Sequence, residues 1–267
     1  MIYVVFALII VGLAIFSLRF AWWRADIDLK YPRVLMYHMI SEHLPKNASK
    51  FNRLRVKPKE FEKQLAWLKE NGFKSYFLSE ISSELPEKSV IMTFDDGYKD
   101  NLTNALPLLK KYNFKANIFI VTNRFNRDWA HDRDTAKSSS ELNNEEMLSD
   151  DEVKILLDSG LAEIGSHTLD HVNLPSLSDS EKELQMSISK QEIEKKFGIK
   201  CETFAYPFGF FDKSSVEIAK KHYKFATTTH NDVYKSSYNN HEIPRIMISG
   251  RGGILNFILK IKKGRDR

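Results

Sequence analysis

A single cysteine, Cys201, stands in 267 residues. That excludes an intramolecular disulfide and any zinc site built on cysteines, so a bound metal has to use histidine and carboxylate ligands. The chain also lacks an arginine-rich block and an aromatic RNA-binding signature. Forty lysines and arginines against 35 aspartates and glutamates leave a formal net charge of +5, spread along the chain. Nucleic acid is therefore not the expected partner, and the balance reads as mild attraction to anionic surfaces, membranes included. There is no internal repeat. A composition 42% hydrophobic and 28% charged is that of a folded protein with a good core, and the length allows one large domain or two small ones.

Charge is missing altogether from Ile2 to Leu18, and after Arg19 the chain continues Phe20-Ala21-Trp22-Trp23-Arg24. The run lacks the basic start and the small-x-small site of a cleaved signal peptide, Gly12-Leu13-Ala14 being a weak match. It also lacks the polar interruptions of a buried core helix. Residues 1–23 are therefore expected to form an uncleaved, single-pass transmembrane anchor with interfacial aromatics at its end. No lysine or arginine precedes the run, whereas Arg19, Arg24, Lys30 and Arg33 follow it. The positive-inside tendency then places the rest of the chain on the cytoplasmic side of the cell's inner membrane.

Beyond the anchor, strands alternate with helices. Val34–Ile40 reads as a first strand, and the loop 41–57 shows no apolar periodicity. Pro58 opens a helix with Phe61, Leu65 and Leu68 at helical spacing, stopped by Asn71-Gly72, and Phe73–Leu78 returns as a strand. Further strands are expected from Ser89 to Phe94 and over Ala116–Val121, Ala162–Ser166, Thr203–Tyr206, Phe225–Thr229 and Ile243–Ile248. Helices are expected over Asn101–Tyr112, from Ser149 to Gly160, from Ser178 to Phe197 and over Lys213–His222. This order implies a mostly parallel sheet curled into a (β/α) barrel or near-barrel over residues 31–250. One long irregular stretch, Asn123–Glu146, is expected at the mouth of a site. The tail 251–267 is amphipathic and basic, suited either to an anionic membrane surface or to closing the barrel bottom.

The chemistry-bearing residues fall at strand ends. His38 follows the first strand, Asp95 and Asp96 follow Ser89–Phe94, His167 follows Ala162–Ser166, and the turn Tyr206–Gly209 follows Thr203. In a barrel those ends share one face. Adjacent aspartates leave a strand end in different directions, so one can hold a metal while the other acts as a base. His167 and His171 are spaced to chelate one cation from a single helical turn. A capping role for the aspartates and a solvated pair of histidines are the plainer readings of each motif alone.

Together the motifs resemble those of the polysaccharide deacetylases, the NodB-like carbohydrate esterases. Thr93-Phe94-Asp95-Asp96-Gly97 is similar to the family's first motif, and Ser166-His167-Thr168-Leu169-Asp170-His171 to its second. Phe204-Ala205-Tyr206-Pro207-Phe208-Gly209 looks like the third in its exopolysaccharide deacetylase form, a branch that also shares Tyr37-His38 and Pro244-Arg245-Ile246. The resemblance implies a distorted (β/α) barrel, with Asp96, His167 and His171 as ligands of a divalent metal. Zinc is expected, with cobalt, nickel or manganese as alternatives. It makes Asp95 the base toward the attacking water, and it puts Tyr206, Pro207 and the Phe208 backbone amide at the substrate's oxyanion. Two family features are missing: an arginine in the third motif, for which Arg245 is the expected replacement, and a late histidine acid, absent from Met247-Ile248-Ser249. His38, His230 and His241 are the acids left, with His38 first for its strand-end place.

The expected activity is metal-dependent removal of the acetyl group from an N-acetylhexosamine. With the anchor, a membrane-lipid-linked (polyprenyl-phosphate) sugar used in envelope or lipid A modification is the first substrate considered. Extracellular poly-N-acetylglucosamine or peptidoglycan is the alternative, and a non-catalytic glycan-binding module and an O-acetyl esterase are rivals of other classes.

Overall fold

The computed structural model describes residues 2–20, 23, 25–45, 49–81, 85–125 and 140–264. Eight parallel strands form one sheet: β1 (Arg33–Tyr37), β2 (Lys74–Ser75), β3 (Ser89–Phe94), β4 (Ala116–Ile120), β5 (Ala162–Ser166), β6 (Thr203–Ala205), β7 (Phe225–Thr227) and β8 (Ile246–Met247). Their order is β7-β6-β5-β4-β3-β1-β8, with β2 paired to β3. The expected barrel is thus a curled half-barrel. Its edges are tied by one isolated parallel bridge, Thr227 to Ile243, where the sequence suggested a full strand over Ile243–Ile248. Pro244 lacks the N–H that a continuous ladder would need there.

Local signals in the sequence explain most helices. Pro58 occupies the first turn of α2 (Pro58–Glu70), which buries Phe61, Leu65 and Leu68. Reciprocal capping boxes, Ser149 with Glu152 and Ser178 with Glu181, open α5 (Asp150–Asp158) and α6 (Asp179–Phe197). Asp212 caps α7 (Lys213–His222) by accepting from the Ser215 amide at 2.8 Å. Beneath the strand ends, Tyr37 stacks on Phe94 at 5.2 Å and meets Phe61 edge-on at 5.4 Å, locking β1, β3 and α2 together.

Several expectations are corrected. Phe73–Leu78 pairs only over Lys74–Ser75 and then tightens into a short turn at Leu78–Glu80. The segment before α3 (Leu106–Tyr112) is π-helical over Asn101–Ala105, and Pro107, which cannot donate an amide, stands just beyond it. Of the stretch 123–146, the short α4 (Ser140–Asn143) is described, and residues 126–139 lie outside the described residues. The basic tail forms α8 (Ile254–Lys263), which buries Phe257 and Ile261 against the core. Trp67 of α2 meets Phe257 edge-on, and buried Arg33 donates from Nε to the Ile261 carbonyl at 2.7 Å. The tail therefore closes the bottom of the half-barrel.

At the other end of the chain, α1 (Ile2–Phe20) exposes its apolar side chains, Ile9 and Leu13 among them. Among the described residues no helix is long and apolar enough to cross a membrane. Nineteen residues at about 1.5 Å each fall just short of a hydrocarbon layer about 30 Å thick. Ala21 and Trp22, expected to extend the span, lie outside the described residues.

Candidate active site

Parallel strands bring every C-terminal end to one face, and the site is built there. Asp95 extends β3 by one more rung, its amide donating to the Tyr37 carbonyl at 3.1 Å. The chain then turns sharply through Asp96 (φ 78°) and Gly97 (φ 83°), and the two neighbouring carboxylates separate. A non-glycine residue at positive φ carries strain that the surrounding fold must hold.

The Asp95 carboxylate points to Arg245. Arg245 Nη1 donates to Oδ1 at 2.6 Å and Nη2 to Oδ2 at 2.8 Å, a bidentate pair with both residues buried. Two further donors are used as well: Nη1 also reaches Thr93 Oγ1 and Nε the Thr228 carbonyl, each at 2.9 Å. Burial would raise the Asp95 carboxyl, but the Arg245 charge and hydrogen bonds outweigh it and hold the group below its ordinary value.

Asp96 faces the two histidines. Its Oδ1 lies 3.4 Å from His167 Nε2 and 3.4 Å from His171 Nε2. His167 Nδ1 is 2.7 Å from the Ala205 carbonyl. A carbonyl can only accept, so Nδ1 carries the proton, and in the neutral ring Nε2 presents its lone pair toward Asp96. Against the burial that would raise it, the adjoining His167 and His171 rings hold the Asp96 carboxyl well below its ordinary value.

The expected helical turn between the histidines is not what joins them. Thr168 (φ 66°) and His171 (φ 52°) are left-handed, and the rings meet at 5.0 Å across this turn. Asp170 pins the turn by accepting from Asn123 at 2.6 Å and from Gln185 of α6 at 2.8 Å. Three buried ligand atoms, from Asp96, His167 and His171, lie within 4.8 Å of one another. Ligands about 2.0–2.1 Å from a tetrahedral zinc stand roughly 3.4 Å apart. The two 3.4 Å separations and the carbonyl-fixed imidazole fit such an ion.

A cleft of about 170 Å³ opens over these groups, lined by Asp95, Asp96, His167 and His171 with His38, Phe208 and Arg53 in its walls. Of the three histidines considered as acids, His38 alone lines the cleft. Burial pushes its imidazole down, against the Asp96 and Asp95 charges that pull it up. His230 is exposed and away from the lining, and His241 Nε2 is bonded to the Tyr223 carbonyl at 2.9 Å. Phe208, strained at φ 59°, packs edge-on against His171 at 4.6 Å. Tyr206 and Pro207 are buried outside the lining, the Tyr206 hydroxyl donating to the His241 carbonyl at 3.1 Å, so of that turn only Phe208 faces the cleft. Sequence reasoning missed Arg53, Thr229 and Met247 in the walls. Arg53 sits in the loop without periodicity, where nothing short of the fold could single it out.

Comparisons with known proteins show the family. The polysaccharide deacetylase family model matches residues 82–224. A Bacillus subtilis protein named as a polysaccharide deacetylase is 30% identical over 236 residues, 86% of this chain and 75% of its own length. The poly-beta-1,6-N-acetyl-D-glucosamine N-deacetylase of Staphylococcus aureus is 28% identical over 239 residues, 84% of this chain and 78% of that one. Among solved structures, a Bacillus cereus polysaccharide deacetylase aligns with a TM-score of 0.72 at 28% identity, covering 87% of this chain and 69% of that chain. The Streptococcus pyogenes deacetylase PplD, solved with acetate, aligns with a TM-score of 0.72 at 25% identity, covering 88% and 99%. The chain belongs to the polysaccharide deacetylase family and is a hydrolase of the carbohydrate N-deacetylase class.

Proposed function

We propose that the protein removes the N-acetyl group from an N-acetylglucosamine-containing glycan, using one divalent metal held by Asp96, His167 and His171. The observation that carries this is the division of labour between adjacent carboxylates, Asp95 on Arg245 and Asp96 on the two histidines. Zinc suits a two-histidine, one-carboxylate set, and cobalt, nickel or manganese could take its place. The metal supplies Lewis acidity toward the acetyl carbonyl and makes water a nucleophile near neutral pH.

The chain's own residues do the rest. Asp95, kept ionised and oriented by Arg245, takes the proton of the attacking water on a carboxylate oxygen. The Phe208 backbone amide donates to the developing oxyanion. His38, in the cleft wall, passes a proton to the departing nitrogen, leaving acetate and a free amine. Acetate release by the metal-loaded protein, compared with Asp95→Asn on matched N-acetyl and O-acetyl substrates, tests the reading. Equal activity of the two proteins removes Asp95 as base, and hydrolysis of the O-acetyl substrate alone makes the enzyme an esterase. A glycan-binding module would release nothing from either.

The sugar is supported by the Staphylococcus aureus relative, whose name specifies an N-acetylglucosamine polymer. A second reading, a lipid-linked N-acetylhexosamine worked on at the inner face of the membrane, is supported by the exposed apolar α1 and by the basic residues that follow it. In both readings α1 holds the enzyme at a membrane. A phosphatase reporter fused after Arg267 separates them, since activity in intact cells places the domain outside and removes the second.

A further inference from the structure

Two arginines two positions apart meet opposite fates at the mouth of the cleft. Arg55 is buried and paired, donating to Glu145 at 2.8 Å and Glu141 at 3.3 Å. Arg53 lines the cleft with its side chain exposed. Among the described residues its guanidinium has no hydrogen-bond or ion-pair partner. Exposed cations at a surface are ordinary; this one stands in the wall of a reaction cleft, and among the described residues nothing balances it.

The backbone that carries Arg53 is held from both sides. The turn Asn52–Leu54 is anchored by Met39 just beyond β1, whose amide donates to the Leu54 carbonyl at 3.0 Å and whose carbonyl accepts from Val56 at 2.9 Å. From the far side Gly250 donates its amide to the Arg53 carbonyl at 2.9 Å. Gly250 fits there because it has no side chain: a Cβ would lie 2.5 Å from the Asn52 carbonyl oxygen. Buried Asn52 completes the clamp, exchanging hydrogen bonds of 2.9 and 3.0 Å with the Leu44 backbone. Phe51, Arg53 and Leu54 all line the cleft, and of these three Arg53 alone is charged and exposed. Asp95 is matched there by Arg245, and Asp96 faces the histidine pair with which it gathers the metal ligands.

We infer that Arg53 is a substrate-binding residue that recognises an anionic oxygen group, phosphate or carboxylate, carried by the glycan beside the acetylated sugar. This rests on the deacetylase reading and narrows it. A planar guanidinium offers two parallel donors to either anion, which a neutral glycan cannot use. The preference is electrostatic at a solvent-open mouth and therefore weakens as salt is raised.

The test compares kcat/KM for acetate release from three probes: a neutral N-acetylglucosamine trisaccharide, the same trisaccharide with a 1-phosphate, and one ending in a uronic carboxylate. Wild type is expected to favour an anionic probe by roughly fivefold to tenfold, mostly through KM. That ratio should fall toward one in Arg53→Ala, persist in part in Arg53→Lys, and shrink with added salt. The better of the two anionic arms identifies the group. A wild-type ratio near one, or a ratio unchanged in Arg53→Ala, overturns the inference while leaving deacetylation standing. No acetate from any probe overturns the deacetylase reading instead. Calorimetric titration of the phosphorylated and uronic trisaccharides then decides the site, and binding of both that is absent, or equal in wild type and Arg53→Ala, overturns it.

Discussion

Arg245 closes both terminal nitrogens on the carboxylate of Asp95, at 2.6 and 2.8 Å, from 150 residues away in sequence. The pair joins the end of β3 to the segment leading into β8, so one contact positions the base and ties a late strand into the half-barrel.

Replacing Arg245 separates those two roles. Arg245→Ala leaves Asp95 buried without its counter-charge, and burial then raises the carboxyl that Arg245 had held down. A base that protonates at higher pH moves the acid limb of the kcat/KM profile upward. Activity at neutral pH should fall on the order of a hundredfold, and stability by about 3–5 kcal/mol, the usual cost of stranding one buried charge. Arg245→Lys keeps the charge but cannot form two parallel bonds, so it should recover more stability than activity. An unmoved acid limb in Arg245→Ala would detach Arg245 from the base.

This pairing also marks how far the sequence could be read. Strand-end placement made Asp95, Asp96 and His167 legible, because alternation and turn residues locate the ends of parallel strands. Arg245 was legible only as a substitute for a missing arginine. The turn carrying His171 was misjudged as helical, since nothing local announces a left-handed threonine or histidine. Arg53 was invisible: its role depends on Gly250 and Met39 converging on one loop, a tertiary fact. The basic tail looked equally suited to membrane and core, and buried contacts with Trp67 and Arg33 decided for the core.

Metal binding should be measurable apart from catalysis. With the donors of Asp96, His167 and His171 gathered within 4.8 Å, adding zinc to chelator-treated protein at a hundredfold excess over its dissociation constant should raise the unfolding midpoint by roughly 5–10 °C. His171→Ala removes one ligand from the set and should lose most of that rise along with acetate release. A full rise in the variant would place the ion elsewhere.

Gly209 stands behind Phe208 at φ 72°, where an added Cβ would lie 2.7 Å from the Thr229 backbone nitrogen. Gly209→Ala must therefore displace the turn that presents Phe208 to the cleft. A loss of about 1–3 kcal/mol is expected from the strain and the clash, with a fall in kcat larger than any change in KM. Chemical denaturation and steady-state kinetics check both, and a variant of wild-type kcat would show that the Phe208 turn does not contribute to the chemical step.

Asp100 supplies a pH dependence separate from the metal site. Burial lifts its carboxyl from 3.8 to about 7, assisted by the nearby Glu145 charge and opposed by a backbone hydrogen bond at Ile40 and by Arg55. The folded protein thus holds this proton more tightly than the unfolded chain does. Its stabilising contribution is complete below the unfolded value of 3.8 and is lost as pH rises through the folded value of about 7. Asn101 donates from Nδ2 to Asp100 Oδ1 at 2.9 Å, and the amide oxygen of Asp100→Asn can still accept that bond. The variant should therefore resemble wild type at the acid end and be more stable above about pH 7, flattening the decline in the urea midpoint across that interval. Parallel midpoint curves for the two proteins would show that Asp100 does not titrate in this range.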